Sequence, residues 1–189
     1  MFFDTETTGV PVKYDVPMSD LKNWPRLVQI AWIVCDEKGN IIESEEHIIK
    51  PNGFIIPEDM TSIHGISTEK AMREGKDIKD VLKSFSKLVN ESKIIVGHNI
   101  SFDVNIIGAE LIRAGMECVV QNKSTVCTMK SSVNYCAIPN KYNGYKLPKL
   151  GELFLKLFGK PLYKTHTAMV DIKATKDCFF ELKKRKIIV

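Results

Sequence analysis

Leu27 to Cys35 is almost wholly apolar, interrupted by Gln29, and a short continuous apolar run of this kind predicts a strand covered on both faces. Asp36-Glu37-Lys38-Gly39-Asn40 is a turn cluster, and Ile41 to Lys50 then alternates with charged residues as an exposed edge strand does. The period changes at Asp77, a candidate N-cap, after which Ile78, Val81, Leu82, Phe85, Leu88 and Val89 recur at helical spacing. Lys93 to Gly97 reads as a short buried strand. Asn99 is placed to cap a helix running to about Gly115, with Val104, Ile107, Leu111 and Ala114 as its buried stripe. Ser124 to Thr128 reads as a last short strand. Leu150, Leu153, Phe154, Leu157 and Phe158 mark an amphipathic helix stopped by Gly159, and a final helix covers roughly Ala168 to Lys184.

Between these segments lie stretches without a period. Val10 to Pro25, with Pro11, Pro17 and Pro25, reads as a long loop, as do Pro51 to Pro57 and Pro139 to Pro148. Ser67 is a candidate N-cap for a short helix in between. Only Met1, Phe2 and Phe3 precede Asp4, which is short for a strand inside a sheet, so either the first strand is clipped or the natural start lies upstream. Early strands followed by strands alternating with helices predict an α/β sandwich, here one domain over residues 1–189 with a loop insertion at about 10–25.

Composition narrows the classes. The chain has 189 residues, 44% hydrophobic and 26% charged, which is long enough and apolar enough for a globular core. No apolar run approaches the ~20 residues of a membrane span, and no basic start precedes an apolar stretch, so neither a span nor a signal peptide is expected. A net charge of +4 is compatible with a polyanionic partner. Cys35, Cys118, Cys127, Cys136 and Cys178 show no C-x-x-C spacing, which argues against a disulfide framework or structural zinc and for a reducing cytoplasm.

The chemistry concentrates in three stretches. In Phe2-Phe3-Asp4-Thr5-Glu6-Thr7-Thr8-Gly9, Asp4 and Glu6 stand two apart, which on a strand aims both at one face. Gly97-His98-Asn99-Ile100-Ser101-Phe102-Asp103 and His166-Thr167-Ala168-Met169-Val170-Asp171 add two carboxylates and a histidine. Taken singly, each has a bland reading: a solvated acidic pair, a charge in the first turn of a helix, a surface histidine. Together, in the order Asp, Glu, Asp, His, Asp, they form a set of hard oxygen ligands suited to Mg²⁺ or Mn²⁺, with an imidazole that titrates near working pH.

The set resembles the three motifs of the DnaQ-like 3′-5′ exonucleases of the DEDDh type, the group that contains the proofreading subunit of bacterial DNA polymerase III. The matches are F-D-T-E-T-T-G, H-N-x-x-F-D and H-x-A-x-x-D. The resemblance implies a ribonuclease H-like fold, a five-stranded mixed sheet with helices on both faces. It also implies two Mg²⁺ or Mn²⁺ ions held by Asp4, Glu6, Asp103 and Asp171, about 4 Å apart as in other two-metal sites. His166 would be the general base; its spacing from Asp171 would turn the two side chains about 140° apart on a helix, so His166 is expected on the loop entering it. By the same resemblance Thr7, Thr8 and Gly9 contact the terminal nucleotide, His64 packs on its sugar and base, and Phe102 and Asn99 adjoin the base. For Phe102 core packing is an equal alternative. His98 is expected in a supporting role.

The expected partner is the 3′ end of single-stranded nucleic acid, DNA favoured over RNA, and a DNA polymerase is a further candidate. The rivals are an RNA-trimming enzyme of the same superfamily and a non-catalytic nucleic-acid- or polymerase-binding module. Lys13, Tyr14, Lys22 and Trp24 in the first long loop, and Lys141, Tyr142, Tyr145 and Lys146 in the loop before Leu150, offer basic and aromatic residues to a single-strand groove, or simply cover apolar surface.

Overall fold

The computed structural model describes residues 1–163 and 167–188. Five strands form one sheet: β1 (Phe2–Thr7), β2 (Leu27–Cys35), β3 (Ile41–Ile48), β4 (Ile95–Gly97) and β5 (Thr125–Cys127), in the order β3-β2-β1-β4-β5. β1 runs antiparallel to β2 and parallel to β4, so the sheet is mixed. The helices are α1 (Glu58–His64), α2 (Thr68–Glu74), α3 (Ile78–Glu91), α4 (Ile100–Arg113), α5 (Thr128–Ser131), α6 (Val133–Cys136), α7 (Leu150–Phe158) and α8 (Ala168–Lys184).

Alternation along β1 decides what covers each face. Phe2 meets Phe179 of α8 edge-on at 5.3 Å between ring centroids, while Phe3, pointing the other way, meets Phe85 of α3 at 5.0 Å. The sheet is therefore covered on both sides. Phe3, Trp32 and Phe85 are completely buried on the α3 side, each worth roughly 2–3 kcal/mol relative to exposure. β2 is buried from Leu27 through Ile33, as its unbroken apolar run requires, and β3 lies at the sheet edge with its charges outward. Asp77 and Ser67 cap α3 and α2, accepting from Lys79 N and Lys70 N at 2.8 and 3.2 Å.

Four expectations change. β1 is six residues long and includes Asp4 and Glu6 themselves, so the strand reaches beyond the apolar start into the acidic motif. α1 was not predicted: His64 is its one buried residue, so it carries no apolar stripe, and Pro57 at its N-cap gives no side-chain cap bond. Asn99 stands at the N-cap of α4 without a side-chain cap bond, because it adopts the left-handed conformation (φ 70°), which asparagine tolerates; its carbonyl accepts Phe102 N–H at 2.9 Å. Of the predicted stripe of α4, Ile107 and Leu111 are buried, whereas Val104 and Ala114 are half-buried; Ile100, Asp103, Ile106 and Glu110 are buried beside them.

The loop at 10–25 contains neither helix nor strand but is tightly docked. Met18 lies against Gly108 of α4, where a Cβ would stand 2.2 Å from its sulfur, so any larger residue there would force Met18 to shift. Trp24 is 3% exposed with Nε1 donating to Pro17 O at 3.0 Å. That removes Trp24 from any substrate groove: it is a core residue. The loop's end is fixed by Glu110, 1% exposed, which accepts from Arg26 Nε at 2.8 Å, Arg113 Nη1 at 2.9 Å and Leu27 N at 3.2 Å. Arg113 also donates to Leu21 O and Trp24 O, both at 2.6 Å.

Candidate functional site

β1 carries Asp4 and Glu6 on its α8 side, the side of Phe2, and α8 brings Asp171 in its first turn to the same place. Oxygens of Asp4, Glu6 and Asp171 lie within 4.8 Å of one another. Asp103 comes from the opposite face. β4 pairs with β1 only at Phe2, so the β1 edge beyond is open, and the start of α4 fills it. There Asp103 Oδ1 accepts Thr5 N–H at 3.0 Å and the Thr5 hydroxyl at 2.7 Å, leaving Oδ2 for another ligand. Asp103 is 3% exposed.

Concentrating acids this way is electrostatically costly. Burial, and then repulsion from Asp103, Glu6 and Asp171, raises the Asp4 carboxyl well above its usual range. Burial and the charges of Asp171 and Asp103 push Glu6 up to about 7. Asp103 is also pushed up to about 7 by burial, against the opposing pull of the two Thr5 hydrogen bonds. Among the described residues no lysine or arginine pairs with Asp4, Glu6 or Asp103. Converging carboxylate oxygens of this kind form a donor set that fits a hard divalent cation.

The surrounding residues are placed as follows. Thr7 is buried and its hydroxyl donates to Gly9 O at 2.6 Å. Thr8 Oγ1 accepts Arg26 N–H at 3.0 Å and Thr8 N–H donates to Arg26 O at 3.0 Å, so this residue staples β1 to the end of the docked loop. Gly9 has open space where a side chain would stand. His64 is buried at the end of α1, with Nδ1 accepting Ile66 N–H at 3.2 Å; burial lowers its pKa. It lines a cleft of about 550 Å³ shared with Gln29, Glu46, Ile66, Lys70 and Thr167. Phe102 is partly buried against the core, and Asn99 is half-buried at the head of α4. His166 lies outside the described residues.

His98 bridges Thr128 Oγ1 and Pro148 O, both at 2.9 Å, and burial pulls its pKa down to about 4. It is a neutral strut joining the end of β4 to the starts of α5 and α7. The Glu110–Arg26–Arg113 network behind Thr8 escaped sequence reasoning, because its members are 84 and 3 residues apart and belong to no motif.

The exonuclease family model RNase_T matches residues 1–179. Similar proteins include PolC-type DNA polymerase III of Pediococcus pentosaceus, 29% identical over 97% of this chain and 11% of that protein. PolC-type DNA polymerase III of Streptococcus pyogenes is 34% identical over 92% of this chain and 10% of that protein. The chain thus spans about a tenth of these relatives' length. Among solved structures, Escherichia coli exonuclease I in complex with a dA16 oligonucleotide superposes with a TM-score of 0.77 at 22% identity, covering 98% of this chain and 40% of that one. A zinc-bound form of the same enzyme with single-stranded DNA gives 0.75 at 22% identity, over 98% of this chain and 40% of that one. At this identity the likeness establishes the fold, the ribonuclease H-like sheet of that enzyme.

Proposed function

The chain belongs to the exonuclease family whose model spans residues 1–179, and from that membership we propose that it is a metal-dependent 3′-5′ exonuclease. It acts on single-stranded or frayed DNA and releases 5′-mononucleotides, in proofreading or repair. The observation that carries this reading is the convergence of Asp4, Glu6 and Asp171 within 4.8 Å on the α8 side of the sheet, with Asp103 reaching in from the other side. Similarity to PolC-type polymerases supports DNA as substrate and a polymerase as partner.

In this reading Asp4, Glu6, Asp103 and Asp171 hold two Mg²⁺ or Mn²⁺ ions. When bound, the ions supply charge neutralisation and Lewis acidity at the scissile phosphate. Asp103 is held for this by Thr5, which occupies one of its oxygens and orients the other. His166 takes the proton from the attacking water. The backbone of Thr7, Thr8 and Gly9, with His64, Asn99 and Phe102, receives the terminal nucleotide. The staple between Thr8 and Arg26 keeps that backbone in place.

Single-stranded DNA and RNA of one sequence, labelled at either end, test the proposal. Stepwise shortening from the 3′ end, faster on DNA, is expected. The Asp4→Ala variant should be inactive, and His166→Ala should be slower by about 10²–10⁴-fold with metal binding retained. Faster cleavage of RNA would identify an RNA-trimming enzyme instead, and binding without cleavage a non-catalytic module.

A further inference from the structure

The last helix carries Asp171 in its first turn, yet its own N-cap does not close it: the Thr167 side chain makes no cap hydrogen bond. The first N–H groups of a helix have no partner within it and need one from elsewhere. Here those from Ala168 onward are accounted for. Val170 and Asp171 N–H reach Thr167 O at 2.9 and 3.1 Å. Ala168 N–H donates to Gln29 Oε1 of β2 at 3.4 Å, and Met169 N–H to Glu46 Oε1 of β3 at 3.2 Å. The cap is built by two strands more than 120 residues away in sequence.

Gln29 is the polar interruption in the apolar run of β2, is 7% exposed, and pairs across the sheet with Glu6. Its amide therefore stands beside one member of the acidic cluster while its oxygen holds the helix that supplies another. Glu46 adds a negative charge where the helix dipole favours one. Ser44 Oγ, on the same strand, donates to Met169 Sδ at 3.7 Å.

We propose that Gln29 and Glu46 are positioning residues for the nuclease reaction: by capping α8 from the sheet they set where Asp171 stands relative to Asp4 and Glu6. Neither touches substrate; both act through the first turn of α8. The inference rests on the proposed exonuclease activity but is tested partly without it.

The test compares wild type, Glu46→Ala, Glu46→Gln and the double variant Gln29→Leu/Glu46→Ala. Leucine suits a strand that is apolar on either side of Gln29, and Glu46 is on the exposed edge strand, so folding should survive. In the double variant kcat on single-stranded DNA should fall by at least about tenfold with KM changed by less than about twofold, the signature of misplaced catalytic groups rather than lost binding. Hydrogen exchange over residues 167–175 should quicken while exchange in β2 and α3 stays as in wild type. Glu46→Gln keeps the acceptor and should retain most of the activity that Glu46→Ala loses. Unchanged kcat, unchanged exchange at the start of α8, or equal losses in Glu46→Gln and Glu46→Ala would overturn the proposal. If the double variant does not fold, Glu46→Ala decides by the same two readouts. Wild-type protein inactive on every oligonucleotide would refute the activity, whereas the exchange result would still decide whether the cap exists.

Discussion

Glu6 and Asp103 have carboxyl groups that titrate near 7 in the metal-free fold, against about 4 for the same groups in an unfolded chain. The folded state thus holds protons that the unfolded state has already released. Their contribution to stability is complete below about pH 4 and is lost as pH rises through about 7. With chelator present, the thermal midpoint should be lower at pH 8 than at pH 5.5, by about 5 °C or more. Adding Mg²⁺ should raise it at pH 8 and have little effect at pH 5.5, where protons already neutralise the cluster. A midpoint that rises between pH 5.5 and 8 in chelator would mean the carboxylates are not mutually strained. The acids were legible in the sequence because i, i+2 spacing on a strand and the three motifs name them. Thr5 was not singled out, because its service to Asp103 depends on β4 ending early, a tertiary fact.

At the scale of elements, periodicity located β2, α3, α7 and α8 well, since each buries a regular stripe or an unbroken run. It missed α1, α5 and α6, which are too short or too exposed to carry a stripe. The loop at 10–25 was legible as a loop but not as a docked one. Its anchorage comes from Glu110, a buried carboxylate answered by two arginines. Removing one partner of such a group strands the others, so Glu110→Ala should cost about 3 kcal/mol in urea unfolding. Because the same network ends on Arg26, which is stapled to Thr8, that variant should also raise KM for oligonucleotide. A stability loss under about 1 kcal/mol would show the network to be dispensable.

The whole molecule is a mixed sheet covered on both faces, with the acids of one face and the reach of α4 from the other meeting at the open edge of β1. β1, α4 and α8 thus each bring carboxylates of the proposed site from separate stretches of the sequence. The acidic cluster can hold a cation, and on the proposed reading hydrolysis should depend on it. The most direct measurement is the release of mononucleotides from 3′-labelled single-stranded DNA by protein stripped with chelator, before and after adding Mg²⁺ or Mn²⁺. The account predicts no release from the stripped protein, recovery on adding the ion, and none from Asp171→Asn under either condition. Release that persists in chelator, or that Asp171→Asn performs as well as wild type, would contradict it.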